Sequence, residues 1–127
     1  DRTDPSLLGL VFDTGHYSFG AGAEDGAGVL EALDRFDERI WYMHFKDFDP
    51  TVARHAREHN LGYFEAIANG VFCELGKGCV DFRAVLEWVR ARPRHSWVLV
   101  EQDVLPGMGA PKESARRNRE YLRSIGV

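Results

Sequence analysis

Cysteine is scarce in this chain of 127 residues: Cys73 and Cys79 are the only two, six positions apart. No CxxC is present, which excludes a zinc site built on paired cysteines. Both are read as reduced thiols, as in a cytoplasmic protein. Long apolar runs are also lacking. None approaches the roughly 20 residues of a membrane span, and no signal-peptide pattern is visible. Positive charge is not in excess, since 16 Lys and Arg face 20 Asp and Glu for a net charge of -4. The longest basic cluster, Arg116, Arg117 and Arg119, shares its helical stretch with Glu113 and Glu120. That is a solvated face, so no nucleic-acid partner is expected. An initial methionine is absent too. The chain starts at Asp1 and runs almost directly into a strand, which leads us to expect a piece that lacks the amino-terminal part of its protein.

What is present suits one soluble α/β domain. Apolar residues make up 44% and charged residues 28%, an ordinary globular composition with enough length for a core. Three stretches share one design. Leu10-Val-Phe-Asp13 continues into Thr14, Gly15 and His16. Ile40 to Phe45 carries His44 and continues into Lys46 and Asp47. Trp97 to Val100 ends in Glu101, Gln102 and Asp103. Continuous apolar runs suit parallel strands covered on both faces, and the chemistry of parallel folds sits at their carboxyl ends.

The intervening chain completes the pattern. The first strand is expected over 8–13, followed by a mobile glycine-containing loop over 17–28. A helix follows at 27–36, with Val29, Leu30, Leu33 and Phe36 at helical spacing. The second strand spans 40–45. An exposed helix opens at Asp49-Pro50, a short one covers 61–68, 71–75 is extended, and Gly76-Lys77-Gly78 is a turn. Asp81 caps a helix that Pro93 stops, and a last helix covers 112–124. Strands alternating with helices mean βαβ units and a parallel sheet. Neighbouring strands lie about 4.8 Å apart, so their ends can bring side chains to one cation.

Asp13, His44 and Glu101 would supply two carboxylates and an imidazole. Such a set suits manganese, cobalt, iron or zinc, and magnesium less well. Taken singly, each is more simply a cap; three successive strands favour a metal. His16 is a candidate substrate donor or proton carrier, or else a loop histidine bonded to backbone. Lys46 shares the His44 side of its strand and could hold a substrate oxygen, or else pair with Asp47. Two decoys are set aside. His55-Ala-Arg-Glu58-His59 matches the pattern of inverted zinc peptidases but falls in a polar helix with no face to bury a site. Gly20, Gly22 and Gly26 imitate a dinucleotide fingerprint at the wrong spacing, beside Glu24 and Asp25.

Phe12-Asp-Thr-Gly-His16, His44-Phe-Lys-Asp47 and Val100-Glu-Gln102 resemble the xylose isomerase-like sugar isomerase and epimerase superfamily. The segment 47–81, with Asn60-Leu-Gly-Tyr-Phe-Glu-Ala-Ile67 and Gly76-Lys-Gly-Cys-Val-Asp81, is similar to an insertion of its inosose dehydratase group. Arg116-Arg-Asn-Arg-Glu-Tyr-Leu122 resembles that group's closing helix. The resemblance implies the carboxyl-terminal three βα units of a (β/α)8 barrel over 1–127, with an inserted helical segment at about 49–78. It implies Asp13, His44 and Glu101 as metal ligands, with Glu101 also in the acid-base chemistry and His16 near the substrate. The family's first glutamate ligand has no counterpart here. Related epimerases carry an arginine shortly after the metal histidine, where Pro50 stands. The implied chemistry is metal-assisted proton abstraction next to a ketone, with manganese or cobalt as cofactor. Dehydration of inosose is the leading expectation. A sugar or sugar-phosphate isomerase or epimerase is the runner-up, and a catalytically silent barrel fragment is the alternative of another class. The expected partners are a small polyhydroxylated ketone and the missing amino-terminal part of the barrel, with a homo-oligomer left open.

Overall fold

A computed structural model describes residues 2–22, 25–92, 94 and 97–127. Three parallel strands, β1 (Leu10–Asp13), β2 (Ile40–Phe45) and β5 (Val98–Val100), form a sheet in the order β1-β2-β5. Phe12 lies opposite Met43, which lies opposite Val98; Asp13 lies opposite His44, which lies opposite Leu99. Side chains alternate across the sheet. Phe12, Met43 and Phe45 are buried, whereas Val11 and Leu99 stay 59% and 42% exposed. The expectation of strands covered on both faces is therefore corrected. Helices cover one face, while the other, which carries Asp13, His44 and Glu101 at its carboxyl end, is open. Three strands make an arc, and only further strands could close over its concave side.

A helix, α1 (Thr14–Ala21), follows β1 where a mobile loop was expected. Asp13 starts it, its Oδ1 accepting the His16 N–H at 2.8 Å. The buried Thr14 hydroxyl donates to the Lys46 carbonyl at 2.7 Å and accepts the Lys46 N–H at 3.0 Å, which ties α1 to the end of β2. Gly22, with φ of 68°, closes the helix. Gly20 and Gly22 hid these two turns of helix from a reading by propensity. Ala23, Glu24, Pro93, His95 and Ser96 lie outside the described residues, so the expected stop at Pro93 does too.

The remaining helices are α2 (Val29–Phe36), α3 (Pro50–Glu58), α4 (Tyr63–Ala68), α5 (Phe82–Arg90) and α6 (Pro111–Ser124). Asp49 caps α3 through the Thr51 and Val52 N–H groups, and Asp81 caps α5 through those of Arg83 and Ala84. On α3 only a narrow face, Ala53 and Ala56, is buried. A second, two-stranded antiparallel sheet pairs β3 (Asp47–Phe48) with β4 (Phe72–Cys73). Among the described residues, no helix is long and apolar enough to cross a membrane.

The segment between β2 and α5 is locked by buried polar groups. The Asp47 carboxylate accepts N–H bonds from Phe48, Gly76, Gly78 and Val80. A Cβ on Gly78 would strike that carboxylate, and one on Gly76 would strike the Tyr121 ring. Asn118 of α6 accepts the Leu75 N–H at 2.9 Å and donates to Gln102 at 3.0 Å. Glu74, 2% exposed, accepts from Arg117 and Ser114 and pairs with Lys77 at 2.6 Å.

The Arg117 bond, joined by Lys77 and Ser114, outweighs burial and holds the Glu74 carboxyl down at about 2, from an ordinary 4.5. A depressed carboxyl contributes its full stability above its unfolded value and loses it as pH falls through its folded value. The Glu74 contribution, no more than about 3 kcal/mol at 1.36 kcal/mol per pH unit, is therefore expected to vanish between pH 4.5 and about 2. In urea unfolding at a series of pH values, the gap between the wild type and Glu74→Gln should shrink over that window. A gap that stays constant down to pH 2 would refute this.

Candidate metal centre

The strand ends converge. Asp13, His44 and Glu101 each offer a ligand atom, and the three atoms lie within 4.8 Å of one another. Asp13 and His44 are cross-strand neighbours in the parallel register. Glu101 follows β5, and its N–H bonds the Phe45 carbonyl at 3.0 Å, which sets its height beside them. His44 Nδ1 stands 2.7 Å from Glu101 Oε2 and 3.6 Å from Asp13 Oδ2. Asp13 Oδ1 is spent on capping α1, whereas its buried Oδ2 has no hydrogen-bond partner. An orphaned buried carboxylate oxygen facing an imidazole is costly without a cation. The donor set, two carboxylates and one imidazole, fits a divalent transition metal.

Lys46 lies beneath this cluster with its side chain 2% exposed. Its Nζ is 2.7 Å from Glu101 Oε1 and 2.8 Å from Asp103 Oδ2, and it stands 4.5 Å above the centre of the Phe72 ring. The plainer expectation, a pair with Asp47, is not what forms, because Asp47 is saturated by backbone donors. Burial works against the Lys46 charge, but the bonds to Asp103 and Glu101 win and raise its pKa. The same Lys46 bond, against burial and with help from His44, lowers that of Glu101.

His16 projects from the first turn of α1. Its Nδ1 is 3.1 Å from Asp13 Oδ2 and its Nε2 is 2.7 Å from the Tyr63 hydroxyl. The Phe72 ring tilts against it at 4.8 Å. Thus Asp13, His16, His44, Lys46 and Glu101 all meet at one end of the sheet. Three further residues join them that the sequence reading missed: Tyr63, Phe72 and Asp103. Only Asp103, at the end of the third run, carried a signal, a carboxylate next to the strand end. Tyr63 and Phe72 arrive through the β3–β4 pairing, which no periodicity announces.

The other candidates stay outside. Gln102 turns to Asn118 and to the Asp103 carbonyl. His55 and His59 are exposed, and His59 lies beyond the end of α3 with its Nδ1 near the His55 carbonyl. Gly20 sits within α1 and Gly22 caps it, so neither opens a phosphate loop. Cys73 and Cys79 are free thiols, and burial pushes them to about 12 and about 11.

Comparison with known proteins bears on the family of the chain. A model of the xylose isomerase-like TIM barrel family matches residues 1–125. An inosose dehydratase of Geobacillus thermodenitrificans is 34% identical over 97% of this chain and 40% of its own length. Inosose dehydratases of Lacticaseibacillus casei and Clostridium beijerinckii are 31% and 29% identical, over 94% and 95% of this chain and 39% of their own lengths. The chain thus spans about 40% of the length of these relatives.

Proposed function

The chain belongs to the xylose isomerase-like TIM barrel family, and from that premise we propose that it forms the metal-holding carboxyl-terminal part of an enzyme that removes water from inosose. The parallel three-stranded arc is part of such a barrel. The observation that carries the reading is the convergence of Asp13, His44 and Glu101 within 4.8 Å, beside an ammonium that grips Glu101. The inosose dehydratases among its relatives support the choice of reaction.

In this reading Asp13, His44 and Glu101 hold the cation, manganese or cobalt. When bound, such an ion polarises a ketone oxygen as a Lewis acid. Glu101 is the base that takes the proton from the carbon next to the ketone. Lys46 keeps that carboxylate ionised and fixes its direction. The C–H electron pair moves toward the carbonyl and then returns to form a double bond to the following carbon, as the bond from that carbon to its hydroxyl breaks. The proton held by Glu101 then leaves with that hydroxyl as water. His16 lines the opening on the substrate side.

The test is to join this chain to the part of an inosose dehydratase that it does not cover and to follow the loss of inosose. Turnover is expected with manganese or cobalt, is expected to stop on chelation and to return when the metal is restored. Metal-dependent conversion of a ketose, without water loss from inosose, would instead assign an isomerase or epimerase.

A further inference from the structure

His16 is gripped between two elements that are far apart in sequence. Below it is Asp13, the cap of its own helix; above it is Tyr63, from α4, 47 positions later. The His16 and Tyr63 rings lie nearly parallel, 29° apart, with centres 6.1 Å apart. Phe19 sets its edge against both Tyr63 and Phe72 at 6.0 Å. The helix that delivers Tyr63 is anchored from beneath. Ala66 is fully buried, Glu65 bonds back to the Gly62 N–H at 2.7 Å, and the Ala66 carbonyl accepts the Val71 N–H as the chain turns into β4. Tyr63 itself stays 42% exposed.

The chemistry of the groups orders their protons. Asp13 Oδ2 makes no hydrogen bond, but the carboxylate 3.1 Å away favours a proton on His16 Nδ1. In the neutral ring Nε2 then carries the lone pair, and the Tyr63 hydroxyl donates to it. The tyrosine oxygen keeps its lone pairs for a donor entering from outside. A ring bearing hydroxyls supplies such a donor. Phe72, 2% exposed, packs behind His16 and supports the pair from within.

We propose that Tyr63 is a positioning and specificity residue of this site: it fixes His16 with Nε2 as acceptor, and its exposed hydroxyl takes a hydroxyl of a polyhydroxylated ketone. The segment between β2 and α5 is then the specificity element of the barrel end. The ligand class rests on the function proposed above; the Tyr63–His16 pairing does not.

Two measurements separate these. In the metal-free chain at pH 8, nitrogen-15 spectra of the histidine rings compare the wild type with Tyr63→Phe, which keeps the ring and removes the hydroxyl. The His16 Nε2 signal is expected to move downfield as its lone pair loses a donor, with both His44 nitrogens unmoved. Unchanged His16 signals would overturn the pairing. In the completed enzyme, Tyr63→Phe is expected to raise KM for inosose about 10-fold with kcat within about twofold, the scale of one lost hydrogen bond in binding. An unchanged KM would overturn the specificity role. Phe64→Ala, at the more exposed neighbour on α4, is expected to leave the His16 signals and KM as they are; equal effects there would reduce Tyr63 to a packing residue. Should the wild type not dehydrate inosose, that reaction falls, while the nitrogen spectra still decide the pairing.

Discussion

Replacing Asp47 with alanine is expected to cost about 4 kcal/mol or more, a large share of a domain's usual 5 to 15. Asp47 is fully buried, with Oδ1 accepting from Phe48 at 2.8 Å and Val80 at 3.2 Å, and Oδ2 from Gly76 at 2.8 Å and Gly78 at 3.0 Å. Alanine leaves four backbone donors without an acceptor, and one orphaned donor typically costs about 1–3 kcal/mol. Burial pushes the Asp47 carboxyl upward in spite of those four donors. The loss on substitution therefore comes from the orphaned N–H groups rather than from a missing charge. Asparagine tests that division. It keeps one acceptor oxygen for one pair of donors and turns an NH2 group toward the other pair. It should destabilise the chain, by less than alanine does. Urea unfolding of the three chains gives the order, and an alanine variant within about 1 kcal/mol of the wild type would show that water replaces the carboxylate.

Asp47 also shows why the site was only partly legible. In the sequence it ends an apolar run, as Asp13 and Glu101 do, and nothing local separates a ligand from an anchor. The difference lies in the partners. Asp47 meets the N–H groups of the Gly76–Gly78 turn, 29 to 31 positions away, whereas Asp13 and Glu101 face an imidazole. The strands themselves were readable, because each is a short run of Leu, Val, Ile and aromatic residues cut by one polar side chain, and the parallel order followed from the helices between them. The helix at Thr14 was not, because its stability comes from the Asp13 cap and from Thr14 docking on Lys46. Tyr63 and Phe72 were out of reach for a related reason. Their place in the site depends on two two-residue strands joined by Asp47 to the turn that follows, so the anchor that sequence could not identify also helps to carry the rings behind His16 and Lys46 into position.

Glu101→Gln is expected to have the largest effect on turnover. The substitution keeps the size of the side chain while removing its charge and its capacity to take a proton. In the chain as it stands, Glu101 Oε1 meets Lys46 Nζ at 2.7 Å and Oε2 meets His44 Nδ1 at 2.7 Å. Each oxygen thus answers a donor. A glutamine can answer only one of them, because its NH2 group would turn toward either an ammonium or an imidazole. Lys46, buried with its side chain 2% exposed, would keep only Asp103 as counter-ion. The bond to Lys46 holds the Glu101 carboxyl below its ordinary range, so it is ionised throughout neutral pH, as the base of the proposed mechanism must be. Loss of a positioned general base typically costs about 10²-fold to 10⁴-fold. In the completed enzyme, kcat for inosose should fall at least about 10²-fold, with weaker binding of manganese by titration calorimetry and an unchanged far-ultraviolet spectrum. Glutamine for Glu113, on the exposed side of α6 and paired only with Arg116, serves as the control for adding an amide in place of a carboxylate, and it should change neither quantity. A Glu101→Gln enzyme with near-normal turnover and metal affinity would remove β5 from the site and leave Asp13 and His44 as an interstrand pair with no third ligand.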